Sequence, residues 1–407
     1  MAPSVKPRLS IGDKIKLIGI ALFVNPRLII IHNYRQALVL TGVFSPLTAP
    51  YSFAIALARL LLYAFQNELD LRYYAACAVF RTVFGAFGGF YAQTIFPSTE
   101  EAYRAWIRQK ERLTKDPALK QRLQCDIQPL DDGHSSILWV GNRYKARKIV
   151  LYLHGGGFEL PGIAGHFECV WNSYVLSGVE SETEVAVAFL QYSLAPTWRA
   201  PVQLRQAAAA LSEILGAGFS AKDIIVGGDS AGGNLTVQLL HHLVDPHAEV
   251  ARIVLQEPLS AAFLISPWLG KDTSAASFRE NDRYDMISMD VLRSLDIVTQ
   301  PYSDGASTDK NGQDSWAEPF EWKGPWLSKL GSVIGKIYIT VGDREILAGQ
   351  GKLMAKTVTA MQTGVEVTLK SNPKAAHDFL VVEGLFGDIG EETVKMKQWF
   401  KTALEAN

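Results

Sequence analysis

Residues 223–234 read DIIVGGDSAGGN, an apolar, β-prone run that turns without a linker into a helix-ready stretch through Gly228-Asp229-Ser230-Ala231-Gly232. Few features constrain a chain more. A Gly-x-Ser-x-Gly at a strand-to-helix junction is too tight for side chains two positions either side of the serine, and it strains the serine backbone. The serine then stands at the head of a helix, where the dipole favours developing negative charge. Such a turn needs a sheet around its strand and helices on the sheet's faces.

The rest of the chain supplies them. KIVLYL (148–153), EVAVAFLQY (184–192), AAFLIS (261–266), KIYITV (336–341) and VEVTLK (365–370) are short β-rich runs. Helix-length segments at about 166–178, 203–216, 350–362 and 389–404 alternate with them. This rhythm predicts an α/β fold with a mostly parallel central sheet covered by helices. Upstream, CDIQPL and SSILWVG flank Asp131-Asp132-Gly133 and read as a hairpin, and STEEAYRAWIRQKERL (98–113) reads as a capped amphipathic helix. Residues 270–330 break the rhythm with Trp, Pro, Asp and Ser, as an insertion covering a site does.

Composition shifts near residue 98. Residues 37–58, ALVLTGVFSPLTAPYSFAIALA, carry no charge and are about long enough to cross a bilayer, although Pro46 and Pro50 interrupt them. The expected division is therefore an apolar N-terminal segment at 1–97 and a second unit at 98–407. Residues 17–65 are expected to associate with a membrane, as a span or an interfacial segment, or else to form cap helices over the site. In a span, Lys14, Lys16, Arg27 and Arg35 would keep the N-terminus cytoplasmic and send the second unit to the lumen, as of the endoplasmic reticulum. The cap reading leaves a cytoplasmic location open.

The net charge of −1, from 40 basic and 41 acidic residues, gives no sign of a nucleic-acid partner. Cys77, Cys125 and Cys169 are too few and too scattered for a disulfide framework or a zinc site. The sequon at Asn234 lies on the helix after the serine turn and reads as packing.

An exposed serine becomes a nucleophile when a base takes its proton and fixed donors hold the oxyanion that forms. HGGGF (154–158) follows the strand KIVLYL, and its successive glycines let backbone N–H groups turn toward an oxyanion. Gly155 and Gly156, with Ala231, are the expected donors, and His154 is expected to hold the loop. Chains built on this turn place the acid and then the histidine after the serine. Of the eight histidines only His377 follows the acidic pair in TVGDREIL (340–347), so His377 is the expected base. His241, His242 and His247 precede that pair and are read as surface or interface residues. Order alone leaves Asp343 and Glu345 both open as the acid.

HGGGF, YSLAP, GDSAGGN, LISPW, GDREIL and HDF occur in the order and spacing of the hormone-sensitive-lipase-like α/β-hydrolases, and over residues 98–405 the chain resembles their fungal-type esterase branch. In that family the acid falls three residues after a small residue and two before a Leu. Gly342, Glu345 and Leu347 match that spacing, so the resemblance implies Glu345, in place of the family's more usual Asp. The family also carries Arg and Glu where Ser193 and Thr197 stand.

The resemblance implies hydrolysis of carboxylic esters through an acyl-enzyme, by Ser230, His377 and Glu345, with no metal or organic cofactor. The expected substrates are small hydrophobic esters, among them acetyl, steryl or secondary-metabolite esters. Two rivals are a transfer, elimination or cyclisation step run by the same residues, and a ligand-binding receptor on an inactive scaffold. The N-terminal block and the 270–330 insertion, with Trp316, Phe320, Trp322 and Trp326, are expected to wall a hydrophobic pocket.

Overall fold

A computed structural model describes residues 34–86, 89–295 and 325–405. Its centre is an eight-stranded sheet in the order β1-β2-β4-β3-β5-β6-β7-β8. The strands are β1 Asp126–Pro129, β2 Ser136–Val140, β3 Lys148–Leu153, β4 Val185–Gln191, β5 Ile224–Asp229, β6 Ala261–Ile265, β7 Lys336–Gly342 and β8 Glu366–Asn372. β1 and β2 form the antiparallel hairpin, β2 pairs antiparallel with β4, and the ladder from β4 through β3 to β8 is parallel. The central strands β3, β5 and β6 are buried along their whole length. That is why they read as unbroken apolar runs and not as alternating ones.

Helices cover both faces. Val202–Gly216, Ala231–Val244 and Ala348–Ala360 pack on one core, which contains Leu151, Val226, Leu264 and Ile339. Tyr103, Trp106, Phe167, Tyr174, Trp399 and Phe400 pack on the other, from Thr99–Leu113, Ala164–Val170, the turn Trp171–Val175 and Glu391–Glu405. The Thr99–Leu113 helix has a reciprocal cap, Ser98 with Glu101, as its sequence predicts.

Residues 37–58 fall within the helix Tyr34–Gln66, and the expected bilayer span is corrected here. Among the described residues no helix is long and apolar enough to cross a membrane. Instead Ala56, Leu60 and Ala64 are buried in the main core, with Tyr74 and Cys77 from the next helix, Leu71–Ala86. Tyr63 stacks on Tyr284 of the 270–330 insertion with ring centres 3.9 Å apart. The physical cause is local: small and aromatic residues at helical spacing give this segment a face that packs on protein. Lys14, Lys16 and Arg27, and the insertion's Trp316, Phe320 and Trp322, lie outside the described residues. Trp326 is described, and it is buried against His241 of the serine helix with ring centres 4.6 Å apart. It packs against the serine helix.

Candidate active site

β5 ends at Asp229 and the helix Ala231–Val244 begins one residue later, leaving Ser230 at the turn with φ 49° and ψ −116°. A non-glycine residue at this φ is strained, and the surroundings hold it there. The Ser230 N–H donates to Ile265 O at 2.9 Å, and its carbonyl accepts from Trp268 N–H at 3.1 Å. The flanking glycines have a steric cause. A Cβ on Gly228 or Gly232 would stand 2.0 or 1.9 Å from Leu153 O at the end of β3.

Ser230 Oγ lies 2.8 Å from His377 Nε2, and His377 Nδ1 lies 3.2 Å from Glu345 Oε2. Serine and histidine are nearly buried and Glu345 is fully so. With Nδ1 donating to Glu345, Nε2 is left to accept the serine proton. Asp343, two residues from Glu345, turns away and pairs with Lys352 Nζ at 2.6 Å and Ser371 Oγ at 2.5 Å. These partners hold its carboxyl below the usual range against the opposing effect of burial.

Two further features of His377 were not read from the sequence. Asp378 follows it in the left-handed region, φ 48°, and brings its Oδ2 within 3.2 Å of His377 Nε2. Burial alone would lower the imidazole's affinity for a proton. The Asp378 and Glu345 carboxylates overcome it and hold His377 well above the ordinary histidine range. Burial also pushes the Asp378 carboxyl up. The one signal was adjacency to the histidine in AAHDFL, and adjacency says nothing about which way a side chain turns.

The glycine loop requires a correction. The Gly155 N–H donates to Asp229 Oδ2 at 2.9 Å, so it is committed and does not face an oxyanion. The same carboxylate accepts from Tyr152 Oη at 2.7 Å and sits 3.2 Å from His166 Nε2, a buried network that anchors the loop beneath the serine. Gly156 and Gly157 follow with φ +103° and +62°, which turns their amides out of the strand direction. Among the described residues the N–H groups of Gly156, Gly157 and Ala231 donate to no protein acceptor. Gly157 was missed because three glycines in a row do not say which amide the anchor consumes.

His154 is buried, bonds the Gly155 carbonyl through Nδ1 at 2.7 Å and stacks on Tyr192. Burial lowers its pKa to about 3, so it stays neutral and holds the loop. His241, His242 and His247 are buried, against the expectation of a surface position. His242 Nε2 meets Ala251 O at 3.0 Å and its Nδ1 accepts from His247 N–H at 3.0 Å, so they pack the far end of the serine helix. Where the resemblance predicts a charge pair at Ser193 and Thr197, Gln206 instead links Ser193 to Asp132, accepting from Ser193 N–H at 2.7 Å and donating to Asp132 Oδ2 at 2.6 Å.

A cavity of about 160 Å³ opens between the glycine loop and the N-terminal helices. Phe80 and Phe84 from Leu71–Ala86, with Phe96, Met286 and Val381, line it, together with Gly156 and Asp378. Among the described residues no cluster of His, Cys, Asp and Glu could hold a metal ion.

A family model for the alpha/beta hydrolase fold, Abhydrolase_3, matches residues 150–381. An esterase of Acinetobacter venetianus is 28% identical over 151 residues, covering 36% of this chain and 45% of that protein. An acetyl-hydrolase of Streptomyces hygroscopicus is 25% identical over 245 residues, covering 60% of this chain and 72% of that protein. Among solved structures, an esterase from the bacterial hormone-sensitive lipase family superposes with a TM-score of 0.57 at 20% identity, covering 82% of this chain and 98% of that one. The family match takes in the glycine loop, the serine turn, Glu345 and His377 and spans more than half of the sequence, so the chain belongs to the α/β-hydrolase family.

Proposed function

We propose that this carboxylic ester hydrolase works through Ser230, His377 and Glu345, and the observation that carries the reading is His377 bridging Ser230 Oγ at 2.8 Å and Glu345 Oε2 at 3.2 Å. His377 Nε2 takes the hydroxyl proton as Ser230 Oγ attacks the ester carbonyl. The resulting oxyanion is held by the N–H groups of Gly156, Gly157 and Ala231. Collapse breaks the bond to the alcohol, which leaves with the proton from the imidazolium. A water then gives a proton to His377 as it attacks the acyl-serine, and the imidazolium returns that proton to Ser230 Oγ as the bond to the acid breaks. Glu345 keeps the imidazole in the required tautomer and stabilises its cation. A rival in which the same residues transfer acyl groups or cyclise a substrate has no observation in its favour, and the relatives are esterases and acetyl-hydrolases.

The substrates proposed are small esters with a hydrophobic acyl or alcohol part, acetyl esters among them, because the cavity beside Gly156 is walled by Phe80, Phe84 and Phe96. In this reading the N-terminal helices are a cap on the 98–407 unit that builds the pocket. The test is labelling with a fluorophosphonate probe, then a scan of p-nitrophenyl esters from acetyl to decanoyl. Ser230→Ala is expected to abolish labelling and turnover with the fold intact. Full turnover in that variant would sink the serine-hydrolase reading.

The N-terminal helices also support interfacial association with a lipid surface. Tyr51, Leu62 and Phe65 are 73%, 58% and 75% exposed and share one face of Tyr34–Gln66. The full chain is expected to float with phospholipid vesicles, and Leu62→Glu with Phe65→Glu to release it. Wild-type protein that stays at the bottom of the gradient would reject this location.

A further inference from the structure

The acid and the base sit on separate loops, after β7 and after β8. The strands that carry them stop pairing at Gly342 and Asn372. Beyond that point two backbone–backbone bonds join the loops, Asp343 N–H to Asn372 O at 2.8 Å and Arg344 N–H to Ala375 O at 3.0 Å. Neither bond reaches Glu345 or His377 itself.

A third segment does. The short helix Ala276–Asn281 and the turn after it come from the insertion between β6 and β7. Asn281 Nδ2 donates to the carbonyls of Asp343 at 3.0 Å and Glu345 at 2.9 Å. Asp285 is fully buried, and its Oδ2 accepts from Ile346 N–H at 2.8 Å. Its Oδ1 accepts from His377 N–H at 3.0 Å and from its neighbour Met286 N–H at 2.7 Å. One carboxylate thus joins the residue after the acid to the backbone of the base. It makes no hydrogen bond to Ser230 or to the imidazole ring.

We propose that Asn281 and Asp285 are positioning residues, a clamp that sets the distance between Glu345 and His377 and so aligns the imidazole on Ser230. This rests on the reading of those three residues as the triad. The chemistry of the clamp explains the residue types. Three N–H groups converge on two oxygens, which an ionised carboxylate accepts and a side-chain amide does not, since its NH₂ would face a donor. The segment is itself pinned from the cap. Arg81 Nη1 donates to Asp285 O at 2.8 Å, Tyr63 stacks on Tyr284, and Tyr73 Oη donates to His377 O at 3.1 Å. The groups facing Asp285 are Glu345 and His377 from the two loops, and Tyr73, Tyr74, Cys77 and Arg81 from Leu71–Ala86. Burial raises its carboxyl to about 7, while His377 and the N–H donors from Ile346 and His377 favour the charged form.

The experiment uses Asp285→Asn and Asn281→Ala in the full chain. Active sites are titrated with a fluorophosphonate probe, and p-nitrophenyl ester kinetics are expressed per titrated site. Each variant is expected to lose at least ~10-fold in kcat with KM held within about threefold, because misplacing a reacting group by a fraction of an ångström acts on the chemical step. Asp285→Asn should also move the acid limb of kcat/KM to lower pH, since it removes a negative charge beside the imidazolium, whereas Asn281→Ala should leave the limb in place. Wild-type kcat per site in a folded variant overturns the clamp. A loss confined to the number of titratable sites and to Tm overturns it too, because the residues would then only hold the fold. An acid limb that stays put in Asp285→Asn rejects the role of its charge. If Asp285→Asn does not fold, Asn281→Ala decides by the same kcat criterion. Turnover surviving in Ser230→Ala is a separate failure, that of the triad itself.

Discussion

Asp343 and Glu345 stand two residues apart on one loop and send their carboxylates to opposite sides of it. Asp343 meets Lys352 and Ser371 at the surface, while Glu345 is fully buried 3.2 Å from His377 Nδ1. Glu345→Gln is therefore expected to lower kcat by orders of magnitude, roughly 10³-fold or more, as losing the orienting carboxylate of such a triad does. Asp343→Asn removes a half-exposed ion pair and should change kcat little and stability by at most ~1 kcal/mol. Steady-state kinetics and thermal melts on the two variants check this. The reverse ranking would assign the acid to Asp343.

The second prediction is a pH dependence. Only neutral His377 accepts the serine proton, and the Asp378 and Glu345 carboxylates raise its pKa well above the usual histidine value. A base with a raised pKa is still protonated where an ordinary histidine is free, so kcat/KM should climb into the alkaline range. Asp378→Asn removes the nearer charge on Nε2 and should shift that limb toward acid. A limb that does not move between wild type and variant would show that Asp378 does not act on the base.

The oxyanion donors can be ranked. Gly156→Ala would place its Cβ 2.9 Å from Leu160 O at φ +103°, and backbone cannot step aside. Gly157→Ala would meet only the Leu295 side chain at 2.9 Å, at φ +62°. Gly156→Ala should therefore lose more kcat, on the order of the 10²-fold attached to one lost donor, and Gly157→Ala less. Equal kcat for wild type and Gly156→Ala would place the oxyanion elsewhere.

Pocket size is the fourth. Phe80→Ala or Phe84→Ala should widen the cavity beside Gly156 and shift preference toward longer acyl or bulkier alcohol groups. Each methylene newly accommodated is worth about 1 kcal/mol or more in kcat/KM. Ester series varied separately in acyl and alcohol show which part enters. An unchanged profile in both would mean this cavity does not hold the substrate.

Read as text alone, the chain yields its sheet and the proposed nucleophile and base, because each is encoded locally or by order. Buried parallel strands are continuous apolar runs, the serine turn needs glycines where Leu153 O passes, and only one histidine follows the acidic pair. The helix Phe379–Phe386 was not legible, since FLVVEGLF has the β-branched, apolar look of a strand and only packing against Ala164–Val170 makes it helical. Tertiary structure alone decided the rest. Asp229 reaches 74 residues back to take the Gly155 amide, which moves the proposed oxyanion donors one glycine along. Asp285 reaches 92 residues forward to His377, and no spacing rule connects them. Residues 37–58 carry no charge, which suggests a span, yet they sit in a helix whose Ala56, Leu60 and Ala64 bury against protein. Local sequence sets what a segment can form, while which amide is consumed, which carboxylate turns inward and which apolar face meets protein depend on residues brought together only when the layers pack.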